Sequence, residues 1–242
     1  MEYDNILSII KRRRSIRKYK SDPVSMEDVN KILDAARWAP SGNNSQPWEF
    51  VVVRNRDKRR IVTDIFIAQS IQLREKSDNW KHAPVKDYLK NISTFIFVCG
   101  DPRFIPAFPR STADREIAEV YRENSQRIYI ETIAAAICNI LLAATSLGIG
   151  SVWLTGTGER DTAAKLKAAL KIPDILDIIC CIPLGYPPDE KPGLRTPRSL
   201  DNVTHFDEFN LTKWRTEEQA EKFCNDRTTW AEFYKTGKMP EQ

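Results

Sequence analysis

Ala39-Pro40-Ser41-Gly42-Asn43-Asn44-Ser45-Gln46-Pro47-Trp48-Glu49-Phe50-Val51-Val52-Val53 is the stretch on which the reading of this chain turns. Three amides and two hydroxyls sit between two prolines, and the loop runs directly into an apolar, β-branched segment. A connection needs one or two turn residues, whereas this one concentrates side chains that donate and accept hydrogen bonds in fixed directions. A planar heterocycle with alternating donors and acceptors would satisfy such a set. A polar surface turn closed by Pro47 would also account for it, and the flanking sequence has to decide.

Upstream, Lys11-Arg12-Arg13-Arg14-Ser15-Ile16-Arg17-Lys18-Tyr19-Lys20 carries seven basic residues in ten. Guanidinium forks and a serine hydroxyl suit phosphate oxygens. A solvated basic face or a nonspecific nucleic-acid patch is the plainer reading of such a run. Before it, Ile6, Ile9 and Ile10 fall on one face of a helix over 2–13. After it, Ser25 is placed to cap a helix whose first turn holds Glu27 and Asp28. Val29, Ile32, Leu33 and Ala36 form its apolar stripe, and Pro40 ends it.

Downstream, the contiguous apolar residues of Phe50–Val53 predict a strand buried on both faces. A helix over 56–72, a buried strand over 94–99 and a long apolar helix over 127–147 follow. That last helix is read as too short and too flanked by charge to span a membrane. Being apolar nearly all round, it calls for a core position or a subunit interface. Residues 102–116, with three prolines, two phenylalanines and three arginines, read as a loop and a candidate substrate lid within 102–125. A strand over 151–154 leads to Thr155-Gly156-Thr157-Gly158, which lacks the longer glycine pattern of a dinucleotide fold. A helix over 161–170 and a strand over 175–184 complete the regular part. The aromatic-rich residues 206–242 read as an arm packing on its own core or on a neighbour, beyond a domain of 1–205.

Composition narrows the function. The chain has 242 residues, 41% of them hydrophobic, with 37 basic against 33 acidic side chains. That balance does not argue for nucleic acid. Two histidines and five cysteines without ligand spacing leave no expected metal site. No apolar leader follows the acidic first residues, so a cytoplasmic, reducing location is expected. No nucleophile–base constellation is visible, which favours redox chemistry over hydrolysis.

Four motifs in order carry a resemblance: Arg13-Arg14-Ser15-Ile16-Arg17, Ala39 to Trp48, Leu147-Gly148-Ile149-Gly150-Ser151-Val152-Trp153, and Leu184-Gly185-Tyr186-Pro187. Together they resemble the FMN-dependent nitroreductase family over roughly residues 8 to 205. The resemblance implies an α+β fold, a mixed and mainly antiparallel sheet wrapped by helices, in an intertwined homodimer with two FMN sites at the interface. It implies that Arg13, Arg14, Ser15 and Arg17 hold the phosphate and ring edge. Ser41, Gly42, Asn43 and Gln46 would line the ring, partly across the dimer. Thr155, Gly156 and Thr157 would approach it, and Arg198 (with Arg195 as the alternative) would contact the phosphate.

The implied activity is reduction of nitroaromatics, quinones or related small electrophiles with NAD(P)H by a ping-pong cycle. The flavin carries the chemistry and no protein side chain is assigned a catalytic role. Reductive dehalogenation and flavin fragmentation to a benzimidazole are the competing activities within the family. A flavin-binding regulator and a nucleic-acid binder are the competing classes outside it. Trp48 and Trp153 are read as core aromatics, and of Tyr121 and Tyr129 one is read as packing.

Overall fold

The structure is a computed structural model that describes residues 2–76, 85–107, 115–189 and 197–225. It divides into two compact units, residues 1–190 and 191–242. His82 and Arg195 lie outside the described residues.

The first unit is built on one four-stranded sheet. Strands β1 (Trp48–Val53), β2 (Thr94–Gly100), β3 (Gly150–Ser151) and β4 (Asp177–Gly185) are arranged in the order β1-β2-β4-β3, all neighbours antiparallel. All seven residues of β2 are buried. Its side chains alternate between two cores, as a pleated strand requires. Ile96 and Val98 join one cluster with Cys180, Ile182 and Leu184. Phe95, Phe97 and Cys99 join the other with Ile178 and Cys181.

Helices α2 (Met26–Arg37) and α4 (Arg115–Ser146) cover the first face through Val29, Ile32, Ala36, Ile133, Ile137 and Ile140. Helices α3 (Arg56–Lys76) and α5 (Arg160–Leu170) cover the second through Val62, Phe66 and Leu166. The α2 cap is as expected: Ser25 Oγ accepts from the Asp28 amide at 3.0 Å and donates to its carboxylate at 2.8 Å. Asn139 on α4 donates to the Ala35 carbonyl at 3.0 Å, tying the two helices.

Four expectations are corrected. Strand β1 is not buried on both faces, because it lies at a sheet edge and only its end residues are buried. The segment expected to run as a strand over 151–154 pairs for two residues only, then touches β4 again through a Leu154–Cys181 bridge. Helix α4 begins at Arg115, so the second half of the presumed lid is helical, and Pro102–Ala107 forms a 3₁₀ turn. Trp153 is 38% exposed, whereas Trp48 is in the core. Residues 108–114, the middle of the presumed lid, lie outside the described residues.

Helix α4 also contains a 24-residue stretch, Glu123–Ser146, long and apolar enough by length and composition to cross a membrane. Its fully buried Tyr129, Ile133, Ile137, Ile140 and Ala144 face the protein core instead. Gly148, at φ +72°, ends it, with the Ile149 amide returning to the Ala144 carbonyl at 2.8 Å. A left-handed residue at that position is what this helix terminus requires, and glycine takes it without penalty. Helix α1 (Glu2–Arg12) buries no residue, and leaves Tyr3, Ile6 and Ile10 exposed in a stripe.

The second unit holds 3₁₀ turns at Asp201–Val203 and Leu211–Lys213 and helix α6 (Glu217–Asn225). The His205 ring stacks on Phe209 with centroids 4.2 Å apart, and Phe209 meets Trp214 edge-on.

Close packing between β2 and α4 is set by Gly100. A Cβ there would collide with the Tyr129 hydroxyl and reach within 2.5 Å of Ile133 Cδ1. Tyr129 is in turn fixed by a 3.2 Å hydrogen bond to Asp177. Gly100→Ala is expected to lower the unfolding free energy by about 1–3 kcal/mol, the usual cost of overpacking a core, measured by urea denaturation.

Candidate active site

The basic segment leaves α1 and runs beside the β3 edge of the sheet. Ser15 pairs with Ser151 in a parallel bridge, the Ile16 amide donates to the Ser151 carbonyl at 2.9 Å, and the Lys20 amide donates to the Tyr186 carbonyl at 2.8 Å. Tyr19 locks the intervening turn by donating to the Ile16 carbonyl. Two glycines make room for this: a Cβ on Gly150 would press on Ile16, and one on Gly185 would meet Tyr19 at 2.9 Å. The motifs that carried the resemblance at 147–153 and 184–187 therefore serve to seat the basic segment. Arg13, Arg14 and Arg17 are half-buried there, and Ser15 is exposed. Arg17 donates to the Ser15 carbonyl at 3.5 Å.

The Thr155–Thr157 turn belongs to the same edge. It begins four residues after the strand that pairs with Ser15, about 13 Å further along an extended chain. Its buried Thr157 hydroxyl donates to the Ile178 carbonyl on β4 at 3.3 Å. Thr155 is exposed and Gly156 half-buried. On its inner side the turn meets α3, where the Gln69 amide donates to the Gly156 carbonyl at 2.7 Å.

The amide loop is elsewhere. It precedes β1, the opposite edge strand, three interstrand steps or about 14 Å from β3. It also lies against the other helical layer, because the Gly42 amide donates to Thr132 Oγ1 on α4 at 3.2 Å and Trp48 packs on Ala136. Asn43, Asn44 and Gln46 all adopt positive φ, between 47° and 53°. Left-handed backbone at three non-glycine residues within four positions is costly and is typically held by surrounding structure at functional sites. Here the Ser41 hydroxyl accepts from the Gln46 amide at 3.3 Å, and Gln46 Nε2 donates to Asn44 Oδ1 at 3.1 Å. Ser45 Oγ is buried with no hydrogen-bond partner among the described residues, an orphan that an additional polar group would satisfy.

Of the residues singled out from the sequence, the structure thus gathers Arg13, Arg14, Ser15, Arg17, Thr155, Gly156 and Thr157 along one edge. It holds Ser41, Gly42, Asn43 and Gln46 together at the other. Arg198 is exposed in the second unit and donates to the Asn202 carbonyl at 2.8 Å. Sequence reading passed over Gln69, because a single glutamine on a helix carries no signal until the turn it touches is placed. It also passed over a cavity of about 490 Å³ beside α3, lined by Arg56, Arg60, Thr63 and Lys90 among others. That cavity shares no residue with either cluster. Among the described residues no group of histidines, cysteines and carboxylates could hold a metal ion. All five cysteines are free thiols, with Cys99, Cys180 and Cys181 buried. Burial pushes the Cys99 thiol up to about 12, which leaves it inert.

The far end of the amide loop is tied down by Asp101, whose amide donates to the Pro47 carbonyl at 2.8 Å. Its carboxylate is held by Arg103 Nε at 2.9 Å and Nη2 at 2.5 Å, and that hydrogen-bonded guanidinium keeps it below the usual carboxylate range. A carboxylate with a depressed folded pKa contributes stability above its unfolded pKa, about 4. That contribution is lost as pH falls through the folded value.

Comparison with known proteins shows the family. A family model described as "Nitroreductase family" matches residues 10–186. A protein of Archaeoglobus fulgidus, provisionally named NADH dehydrogenase/NAD(P)H nitroreductase, is 35% identical over 87% of this chain and 99% of its own length. Iodotyrosine deiodinase of Nematostella vectensis is 28% identical over 80% of this chain and 72% of its own. Among solved structures, an FMN-dependent nitroreductase of Clostridium difficile R20291 superposes with a TM-score of 0.59 at 27% identity, covering 84% of this chain and 99% of that one.

Arg103→Ala is expected to lower the urea midpoint at neutral pH. The gap from wild type should close on an acid series as Asp101 is protonated in both proteins.

Proposed function

The chain belongs to the nitroreductase family, and from that premise we propose that it is an FMN-dependent oxidoreductase working as a homodimer. It would use NAD(P)H to reduce nitroaromatics, quinones or related small electrophiles. The observation that carries this reading is that the β3 edge seats the guanidinium cluster at Ser151, while the chain continuing from β3 lies along β4 through Leu154 and Thr157 to form the Thr155–Thr157 turn. A phosphate-bearing ring compound lying along that edge would meet cations at one end and backbone at the other.

The residues fit such a group. Arg13, Arg14 and Ser15 would take the phosphate by charge-assisted hydrogen bonds. Arg17 would favour negative charge on the ring edge against it. The turn at 155–157 would approach the ring. Bound FMN would supply the two-electron chemistry, taking hydride from NAD(P)H and passing electrons to the acceptor.

The amide loop sits at the opposite edge of its own sheet from the guanidinium cluster, so we infer that Ser41, Gly42, Asn43 and Gln46 serve the site of a second copy. The left-handed residues and the orphan Ser45 hydroxyl support a preorganised polar corner awaiting that ring. The exposed stripe of Tyr3, Ile6 and Ile10 on α1 and the exposed Val120 and Ile130 on α4 supply apolar surface for a twofold interface. Free cysteines suit a cytoplasmic location.

A second reading, reductive dehalogenation of an aromatic substrate, is favoured by the likeness to a protein named iodotyrosine deiodinase. A turnover panel of a nitrofuran, a quinone and a halotyrosine separates the two. NAD(P)H oxidation without any acceptor turnover would point to neither.

The purified protein is expected to be yellow, or to take up added FMN, and to sediment as a dimer. Arg13→Ala should weaken FMN binding by about 10- to 100-fold, the worth of one charge-assisted hydrogen bond, followed by flavin fluorescence quenching. A colourless protein that ignores FMN would sink the proposal.

A further inference from the structure

Behind the Thr155–Thr157 turn, on the side away from solvent, lies a polar chain that the family reading leaves unassigned. Gln69 is buried on α3 at 4% exposure. Its Nε2 donates to the Gly156 carbonyl at 2.7 Å, and its Oε1 accepts from Lys86 Nζ at 2.5 Å. Lys86 itself is half-buried, with its ammonium 5.5 Å from the centre of the Phe66 ring. Burial holds that ammonium below its ordinary range, with the Glu159 charge at the end of the same turn opposing the shift.

The order of these contacts matters. A glutamine side chain can be turned end for end, and in either orientation it fills the same space. Only a donor on the far side obliges its oxygen to face that way and its NH₂ to face the turn. Lys86 is that donor, since an amine offers hydrogens and a lysine ammonium accepts nothing. A cation on the oxygen also polarises the amide and strengthens the bond at its other end. The Gly156 carbonyl is thereby drawn toward α3. In a trans peptide the following N–H points the opposite way, so the Thr157 amide is turned from α3. Glycine is needed for this close approach: a Cβ at 156 would meet Gln69 Nε2 at 2.7 Å and Oε1 at 3.1 Å.

We propose that Gln69 and Lys86 are positioning residues that set the peptide orientation of the Gly156 turn, and through it the electrostatic environment of the bound flavin ring. The inference rests on the flavin reading above. It adds two residues, one from α3 and one from the loop ahead of β2, that reach the turn from behind through the Gly156 carbonyl.

The test uses the full-length protein in two parts. Gln69→Glu keeps the shape and the contact to Lys86 but removes the hydrogen offered to Gly156. Lys86→Met leaves Gln69 free to reverse. Both variants are expected to weaken FMN binding several-fold and to shift the flavin midpoint potential and visible spectrum, with Gln69→Glu the larger. The second part needs no cofactor: Gly156→Ala and Gln69→Ala are combined in a double-mutant cycle read by urea unfolding. The penalty of Gly156→Ala should fall in the Gln69→Ala background, because the clash is with Gln69. Additive penalties would show that no such clamp exists. A coupled cycle with wild-type potential, spectrum and FMN affinity in both single variants would also overturn the proposal, leaving a purely structural contact. Wild-type protein that binds no FMN would instead overturn the flavin reading, with the clamp still decided by the cycle.

Discussion

One constraint governs this molecule: β2 is buried on both faces along its whole length, and the sheet must therefore be covered by helices twice. Two apolar layers, α2 with α4 and α3 with α5, meet that need. The chain has then used its regular structure, and the chemistry is left to what the sheet edges can hold. At the β3 edge the strand is only two residues long. Its outer backbone at Ser151, with the Tyr186 carbonyl just past β4, is what takes the basic segment. At the β1 edge the strand is longer but half-exposed, and its approach is the amide loop. The two candidate clusters are separated because a four-stranded sheet has two edges, and one cluster takes each.

Much of this was legible in the residues. Helix α2 was, because its cap, first-turn acids and apolar stripe all pointed the same way. The buried strands, expected over 94–99 and 175–184 and found at 94–100 and 177–185, were, because continuous apolar runs of that length have few alternatives. Strand β1 has the same appearance, and its edge position escaped notice for that reason: Val51–Val53 are apolar whether they face a core or a partly open flank. The start of α4 escaped too. Arg115 to Gln126 are mostly polar, and their helicity is a continuation of the strongly apolar turns that follow rather than a property of their own pattern. Cooperative propagation of an existing helix is not visible in a local window.

The site divides the same way. The arginines and the amides could be singled out because their residue types are unusual in those settings. Their mutual placement could not, since it depends on strand order and on which helical layer each loop touches. Gln69 and Lys86 were invisible for a further reason. Their meaning comes from a direction, the way one amide is turned, and a direction has no one-dimensional trace.

The three left-handed residues of the amide loop carry a consequence for anyone who would make this protein hardier. Asn43, Asn44 and Gln46 each hold backbone torsions that glycine would adopt freely. Replacing them would relieve a penalty of about 1 kcal/mol apiece, while giving the unfolded chain more freedom to lose. It would also strip the corner of its directional donors and slacken its shape. Thermal robustness and a well-defined polar corner therefore pull against each other over these few residues, and a search for stabilising changes should begin somewhere else in the chain.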